Sequence, residues 1–305
     1  MLTQGGLGLG GVALSWMLGG EGKLLAAPHH RPRAKSVIWA FMEGGPSHLD
    51  LVDPKPLLNK LAGTPLPASF KEPITAMGEK GSPLLVAPRT WTQHGESGMW
   101  ASEWIPHIGS CMDDIAVIRS CWTNGINHSG GVCQMNTGQP LAGRPSLGSW
   151  VNYGLGSENE NLPGFISIGP SMGNGGPRNY SNAFLPSAYQ GTTIGRAGIP
   201  AKDSTIKNIT APGVDPKDQR KQFELLRALN AEQAKRRPGD DELDAVISSF
   251  ELAWRMQNNA PGILDLSKES PKTLAMYGID QKPTDNFGRY CLMARRLSEA
   301  GVRYV

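Results

Sequence analysis

The sequence has little of several things that would narrow its function at once. Its net charge is only +3, from 30 Lys and Arg against 27 Asp and Glu, and no block of like charge exceeds a short run such as Lys235-Arg236-Arg237. A chain that tracks nucleic-acid phosphates carries a concentrated basic surface, so nucleic acid is not an expected partner. The four cysteines, Cys111, Cys121, Cys133 and Cys291, include no C-x-x-C pair, and neither a zinc ribbon nor a redox motif is indicated. Buried free thiols are expected, with a Cys111–Cys121 or Cys121–Cys133 disulfide as the alternative in an exported protein. No apolar run reaches the roughly 20 residues of a comfortable membrane span, so no stable span is expected. Nor is there an internal repeat.

Glycine and proline, by contrast, are abundant. The 305 residues include 38 Gly and 24 Pro, roughly a fifth of the chain against a usual share of about 12 %. That favours a loop-rich fold over a helical bundle. With 39 % hydrophobic and 19 % charged residues, the chain can bury a core, and disorder, collagen and coiled coil are excluded. The length suits one large α/β domain or two smaller ones.

The two ends carry different signals. From Gly5 to Ala27 the chain reads GGLGLGGVALSWMLGGEGKLLAA, followed by Pro28-His29-His30-Arg31. Residues 1–30 read as an export-signal-like segment with small residues near Ala26-Ala27, similar to the tail of a twin-arginine signal whose Arg pair is absent from this chain. At the other end, Thr284-Asp285 opens an amphipathic helix stopped by Gly301, and Val302 to Val305 reads as a strand. A helix feeding a strand is half of a βαβ unit, so residues 35–305 are expected to form the N-terminal part of a single α/β domain, incomplete at its C-terminus.

Between the ends, Val37 to Met42 is a continuous apolar run closed by Glu43-Gly44-Gly45-Pro46, which predicts a buried central strand and a sharp turn. Ile115 to Ser120 predicts a second buried strand, and Gly164 to Gly169 a third. Helices are expected over Glu103 to Met112, from Val132 to Thr137 and over Ser146 to Tyr153. Two more follow Asp215-Pro216, with core stripes at Phe223, Leu226 and Leu229 and at Leu243, Val246, Ile247, Phe250 and Trp254. Residues 54 to 100 and the stretch from Gly169 to about Gly213 read as irregular.

Ligands of open α/β sheets sit outside the carboxyl ends of the strands. Two such junctions hold nearly all the candidate chemistry. The first offers Glu43, Ser47, His48, Asp50 and Asp53. The second offers Asn127, His128 and Ser129 beside the free amides of a helix N-terminus, where anions bind. Carboxylate and imidazole are ligand types for Zn, Mn or Ca, and turn capping is the structural alternative for His48, Asp50 and Asp53.

Several long motifs then stand in a recognisable order: VIWAFMEGGPSHLDLVDPKP from Val37 to Pro56, the run from Asp113 to Gly156, GGPRN from Gly175 to Asn179, and FGRYCLMARRLSEAGVRYV from Phe287 to Val305. Together they resemble domain-of-unknown-function family 1501, a bacterial exported family abundant in planctomycetes. That resemblance implies a sulfatase-like α/β fold of the alkaline phosphatase superfamily, a mostly parallel sheet flanked by helices. It also implies an ancestry in metal-dependent hydrolysis of sulfate or phosphate esters. In that superfamily a metal-binding Asp follows the first strand, and the nucleophile opens a helix ending in Thr-Gly. Here Glu43 takes the first place and Thr137-Gly138 ends the helix. Counting back reaches His128, with Ser129 beside it. The resemblance thus implies a divalent metal near Glu43, His48 and Asp50, the scissile ester facing His128 or Ser129, and Asn127 and Arg178 as substrate contacts. A histidine cannot become formylglycine, which leaves a phosphohistidine intermediate, attack by Ser129, or loss of hydrolysis. A non-catalytic exported protein that binds carbohydrate or a protein ligand is the alternative, and a decayed fragment a third reading.

Overall fold

Short polar side chains set where the helices begin. Along the chain run α1 (Pro56–Leu61), the strands β1 (Trp91–His94) and β2 (Met99–Ser102), α2 (Pro106–Gly109), α3 (His128–Thr137), α4 (Leu147–Leu155), β3 (Ile166–Ile168), β4 (Thr192–Ile194), α5 (Pro216–Arg236), α6 (Asp241–Leu264), α7 (Pro271–Met276) and α8 (Asp285–Glu299). Asn127 caps α3 by accepting from Gly130 N–H, Ser146 caps α4, Asp215 caps α5 and Asp240 caps α6, each satisfying an amide that has no partner inside its helix. Gly138 closes α3 at φ 79°, a left-handed position that favours glycine. The computed structural model describes residues 31–305 other than 72, 73, 76, 77, 80, 208, 210–212, 238 and 239; the export-signal-like segment over 1–30 lies outside the described residues.

The chain is mixed α/β, with more helix than strand. β1 and β2 form an antiparallel hairpin, Trp91 opposite Ser102. β3 and β4 form a parallel pair, Ile166 opposite Thr192. Beyond β3, Phe165 bridges in parallel to Tyr304, and Tyr304 bridges in parallel to Val37. Backbone bonds carry this ladder across. Ile166 N–H donates to Tyr304 O at 2.9 Å, Val37 N–H to Arg303 O at 2.8 Å, and Trp39 N–H to Val305 O at 2.7 Å. Segments therefore lie in the order 37–39, 303–305, 164–168, 192–194, all pointing one way. The C-terminal segment read as a strand takes an inner place in this ladder.

α8 covers one face of it. Ala294, Leu297, Val302 and Val305 pack with Ile166, Ile194, Met256 and Ala260 in the main core, and Leu292 and Met293 with Leu266 and Ile279 in a second cluster. Leu297 is fully buried, worth about 1.5–3 kcal/mol relative to exposure. Glu269 holds the helix from outside, accepting from Arg296 Nη1 at 2.6 Å and Arg295 Nη2 at 3.2 Å.

Several sequence expectations need correction. Val37 to Met42 is not a buried central strand: it lies at the edge of the ladder, with Ile38 47 % exposed. An apolar run gives the strand but not its place in the sheet. The Ile115 to Ser120 run forms no strand, and Ile118 is 72 % exposed, because no described segment pairs with it. The helix expected over Glu103 to Met112 shrinks to α2, which Pro106 opens, with a 3-10 turn at Met112–Asp114. The irregular stretches contain β1, β2 and β4. The α5 and α6 stripes close only in part: Phe223 stacks on Trp254 with ring centroids 4.8 Å apart, while Leu229 and Phe250 stay exposed. All four cysteines are free, and Cys111 and Cys121 are exposed, not buried. Among the described residues no helix is long and apolar enough to cross a membrane.

Candidate functional site

The parallel ladder ends on one side in two turns, Glu43-Gly44-Gly45 after the 37–39 segment and Gly169-Pro170-Ser171 after β3. Both open into a cavity of about 210 Å³. Its floor is the ladder, with Trp39, Phe41, Phe165, Ile168 and Tyr304. Its walls are Val132 and Asn136 of α3, the first turn of α4, Tyr180, and Tyr290 and Cys291 of α8. A more open, polar hollow of about 500 Å³ lies between α4, the 156–164 loop and α6. The first cavity is where a parallel sheet presents its strand ends, the place such folds bind ligands.

Of the two junctions singled out in the sequence, the first lines this cavity through Glu43, while Asn127, His128 and Ser129 of the second do not line it. Gly44 has φ +82°, and a Cβ built on it would lie 3.6 Å from His128 Nδ1, so the turn after Glu43 rests against the His128 imidazole. A third loop joins them: Asn174 Nδ2 donates to Glu43 Oε1 at 2.7 Å. Asn127, His128 and Ser129 are all exposed. Asn127 Oδ1 is engaged by Gly130 N–H at 2.9 Å, and α3 reaches the cavity itself through Val132 and Asn136.

The rest of the first junction turns elsewhere. Asp50 Oδ1 accepts from Arg89 Nε at 3.3 Å, and Arg89 lies 3.6 Å over the Trp104 ring. His48 Nε2 is 3.8 Å from Asp53 Oδ2, which Lys55 Nζ approaches to 2.9 Å, while Arg119 Nε lies 3.9 Å from Asp53 Oδ1. Asp53 is buried, and its role is to hold this turn together. Glu43, His48 and Asp50 therefore do not converge, and among the described residues no three His, Cys, Asp or Glu side chains gather as a metal site would need. This donor set does not fit a divalent metal. Arg178 is exposed on the 3-10 turn Gly176–Tyr180 and does not line the cavity; its neighbour Asn179 does.

The cavity is electrically simple. Burial pushes the Tyr180 phenol and the Cys291 thiol up, and the Tyr304 phenol further up, so all three stay protonated near neutral pH. Among the described residues Glu43 is the only acidic side chain that lines the cavity, and no Lys, Arg or His does. Asn136 Nδ2 donates to Val132 O at 2.9 Å, which commits one of its two N–H groups. Asn179 Nδ2 donates to Asn174 O at 3.0 Å, while its Oδ1 is buried with no partner. Sequence reasoning missed Asn136, Asn174 and Asn179. The signals were there in part: Asn136 precedes the Thr-Gly helix end, and Asn174 and Asn179 flank the Gly175-Gly176 pair.

A family model described as a protein of unknown function (DUF1501) matches residues 34–305. No curated protein and no solved structure matches the chain significantly.

Proposed function

We propose, for a chain that belongs to the DUF1501 family of proteins of unknown function, a sulfatase-like α/β domain of ester-hydrolase ancestry, exported from the cytoplasm. Its ligand cleft lies at the carboxyl ends of the parallel ladder. The observation that supports this reading is the close approach of the Gly44 backbone to the His128 ring, which sets the start of α3 beside the turn after Glu43. A sulfate or phosphate ester would place its anionic end at His128 and the first-turn amides of α3, where the helix dipole and unpaired N–H groups favour negative charge. His128 then faces the scissile ester, and Ser129 follows it on the same turn. Because no three His, Cys, Asp or Glu side chains gather among the described residues, the reading rests on these residues alone.

The test is release of 4-nitrophenol from its sulfate and phosphate esters by the purified chain, with and without Zn²⁺, Ca²⁺ or Mn²⁺, alongside direct binding of each ester. Turnover that His128→Ala abolishes supports hydrolysis, with Ser129→Ala separating the two nucleophiles. The scattering of His48 and Asp50 onto Asp53 and Arg89 favours a second reading, a binding protein that keeps the fold. That reading expects saturable binding with no turnover. Neither binding nor turnover on either ester contradicts both.

A further inference from the structure

We infer that the cavity beneath the mouth seats a primary organic ammonium group, so that the ligand is cationic at one end. The inference deepens the proposed cleft by naming the part of the ligand that enters it. Among the described residues the cavity is lined by one acidic side chain, Glu43, which is exposed at its rim and pairs with the neutral amide of Asn174 and with no cation. Burial keeps the Tyr180 and Tyr304 phenols and the Cys291 thiol neutral. Among the described residues no cationic side chain lines it, so an anion would meet the like charge of Glu43 with only neutral hydroxyl, thiol and amide groups to offset it. An ammonium finds complements on every side. Glu43 offers the opposite charge. Asn136 has one of its two Nδ2 hydrogens committed to Val132 O, and its oxygen can accept. Trp39 and Phe41, stacked at 6.2 Å between centroids, offer aromatic surface, to which cations are drawn by the ring quadrupole. Three N–H donors on one nitrogen suit a pocket of acceptors better than a quaternary ammonium, which has none. The anion of an ester stays outside, at His128, so the whole ligand is an amine-bearing ester.

Isothermal titration of the purified chain with benzylammonium chloride and with benzyl alcohol, at pH 7 and low ionic strength, tests the seat. Benzylammonium is expected to bind at least about tenfold more tightly than the alcohol, and Glu43→Gln to remove most of that preference. Should Glu43→Gln fail to fold, Trp39→Leu keeps the carboxylate and removes an aromatic face, and it is expected to weaken benzylammonium by several fold. Equal binding of amine and alcohol, no binding of either, or a preference untouched by the variant overturns the inference. Phenyl phosphate titrated in parallel reads the ester proposal separately. Loss of phosphate binding with benzylammonium retained overturns only the ester reading, and the reverse overturns only the ammonium seat.

Discussion

Asn174 donates its Nδ2 to Glu43 Oε1 at 2.7 Å across 131 residues of sequence, and this bond ties the loop after β3 to the turn after the first strand of the ladder. Asn174 itself has φ +33°, a conformation that asparagine tolerates better than most residues. The same loop returns through Asn179 Nδ2 to Asn174 O, and Asn179 lines the cavity.

A double-mutant cycle with Glu43→Gln and Asn174→Ala should show a favourable coupling of about 0.5–1 kcal/mol, the range for a hydrogen bond to a charged group discounted for exposure. Denaturant midpoints of the four proteins measure it. Zero coupling would mean that the two loops are held by packing alone.

Phe165 lies between two glycines. A Cβ on Gly148 would come 2.5 Å from its ring and one on Gly191 2.7 Å from it, so the ring cannot retreat from either side. Gly148→Ala is expected to cost about 1–3 kcal/mol through overpacking, less about 1 kcal/mol of helix propensity gained in α4. Gly262→Ala in α6 meets no atom within 4 Å and is expected to be neutral or stabilising by up to about 1 kcal/mol. Thermal melts of the two variants should move in opposite directions or leave only the first lowered.

Burial raises the Tyr304 phenol well above its ordinary value. A group whose folded-state pKa is raised stays protonated while the unfolded chain loses its proton. Its contribution to stability is therefore complete below about pH 10 and falls as the pH rises beyond that. Tyr304→Phe keeps the ring edge-on to Phe165, at 5.4 Å between centroids in the parent, and removes the ionisable group. Urea midpoints between pH 9 and pH 11 should fall less steeply in the variant, with a residual slope from Tyr180, which is raised as well.

Much of the helical architecture was legible because caps are local chemistry. Ser146, Asp215 and the glycine after α8 are read from a few neighbouring residues, and Val302 to Val305 announced a strand by composition. The ladder was harder to read. The Val37 and Ile115 runs look alike in sequence, yet one pairs with the C-terminal segment at an edge and the other with nothing described; only long-range pairing distinguishes them. The β1–β2 hairpin hid in a proline-rich stretch because its turn glycines, Gly95 and Gly98, both at φ 62°, are not adjacent as in the shortest hairpins. At the site, the first junction was legible through an apolar run followed by glycines, and the second through the Asn127 cap of α3, although the strand expected before it does not form. The separation of Glu43 from His48 and Asp50 was not, because a turn's side chains are placed by distant partners such as Arg89 and Arg119. The asparagines of the 171–180 loop were equally hidden, their position being set by contacts across more than a hundred residues.

The central claim is that an ester's anionic end binds where Gly44 meets His128, at the mouth of the cavity. The most direct measurement is a two-dimensional amide NMR titration of the assigned chain with phenyl phosphate. The account predicts saturable shifts concentrated at Gly44, at His128 to Gly131 and at Asn174 to Asn179, and their loss in His128→Ala. Shifts centred instead on the polar hollow at Asn152, Tyr189 and Arg255, or no saturable shift at all, would contradict it.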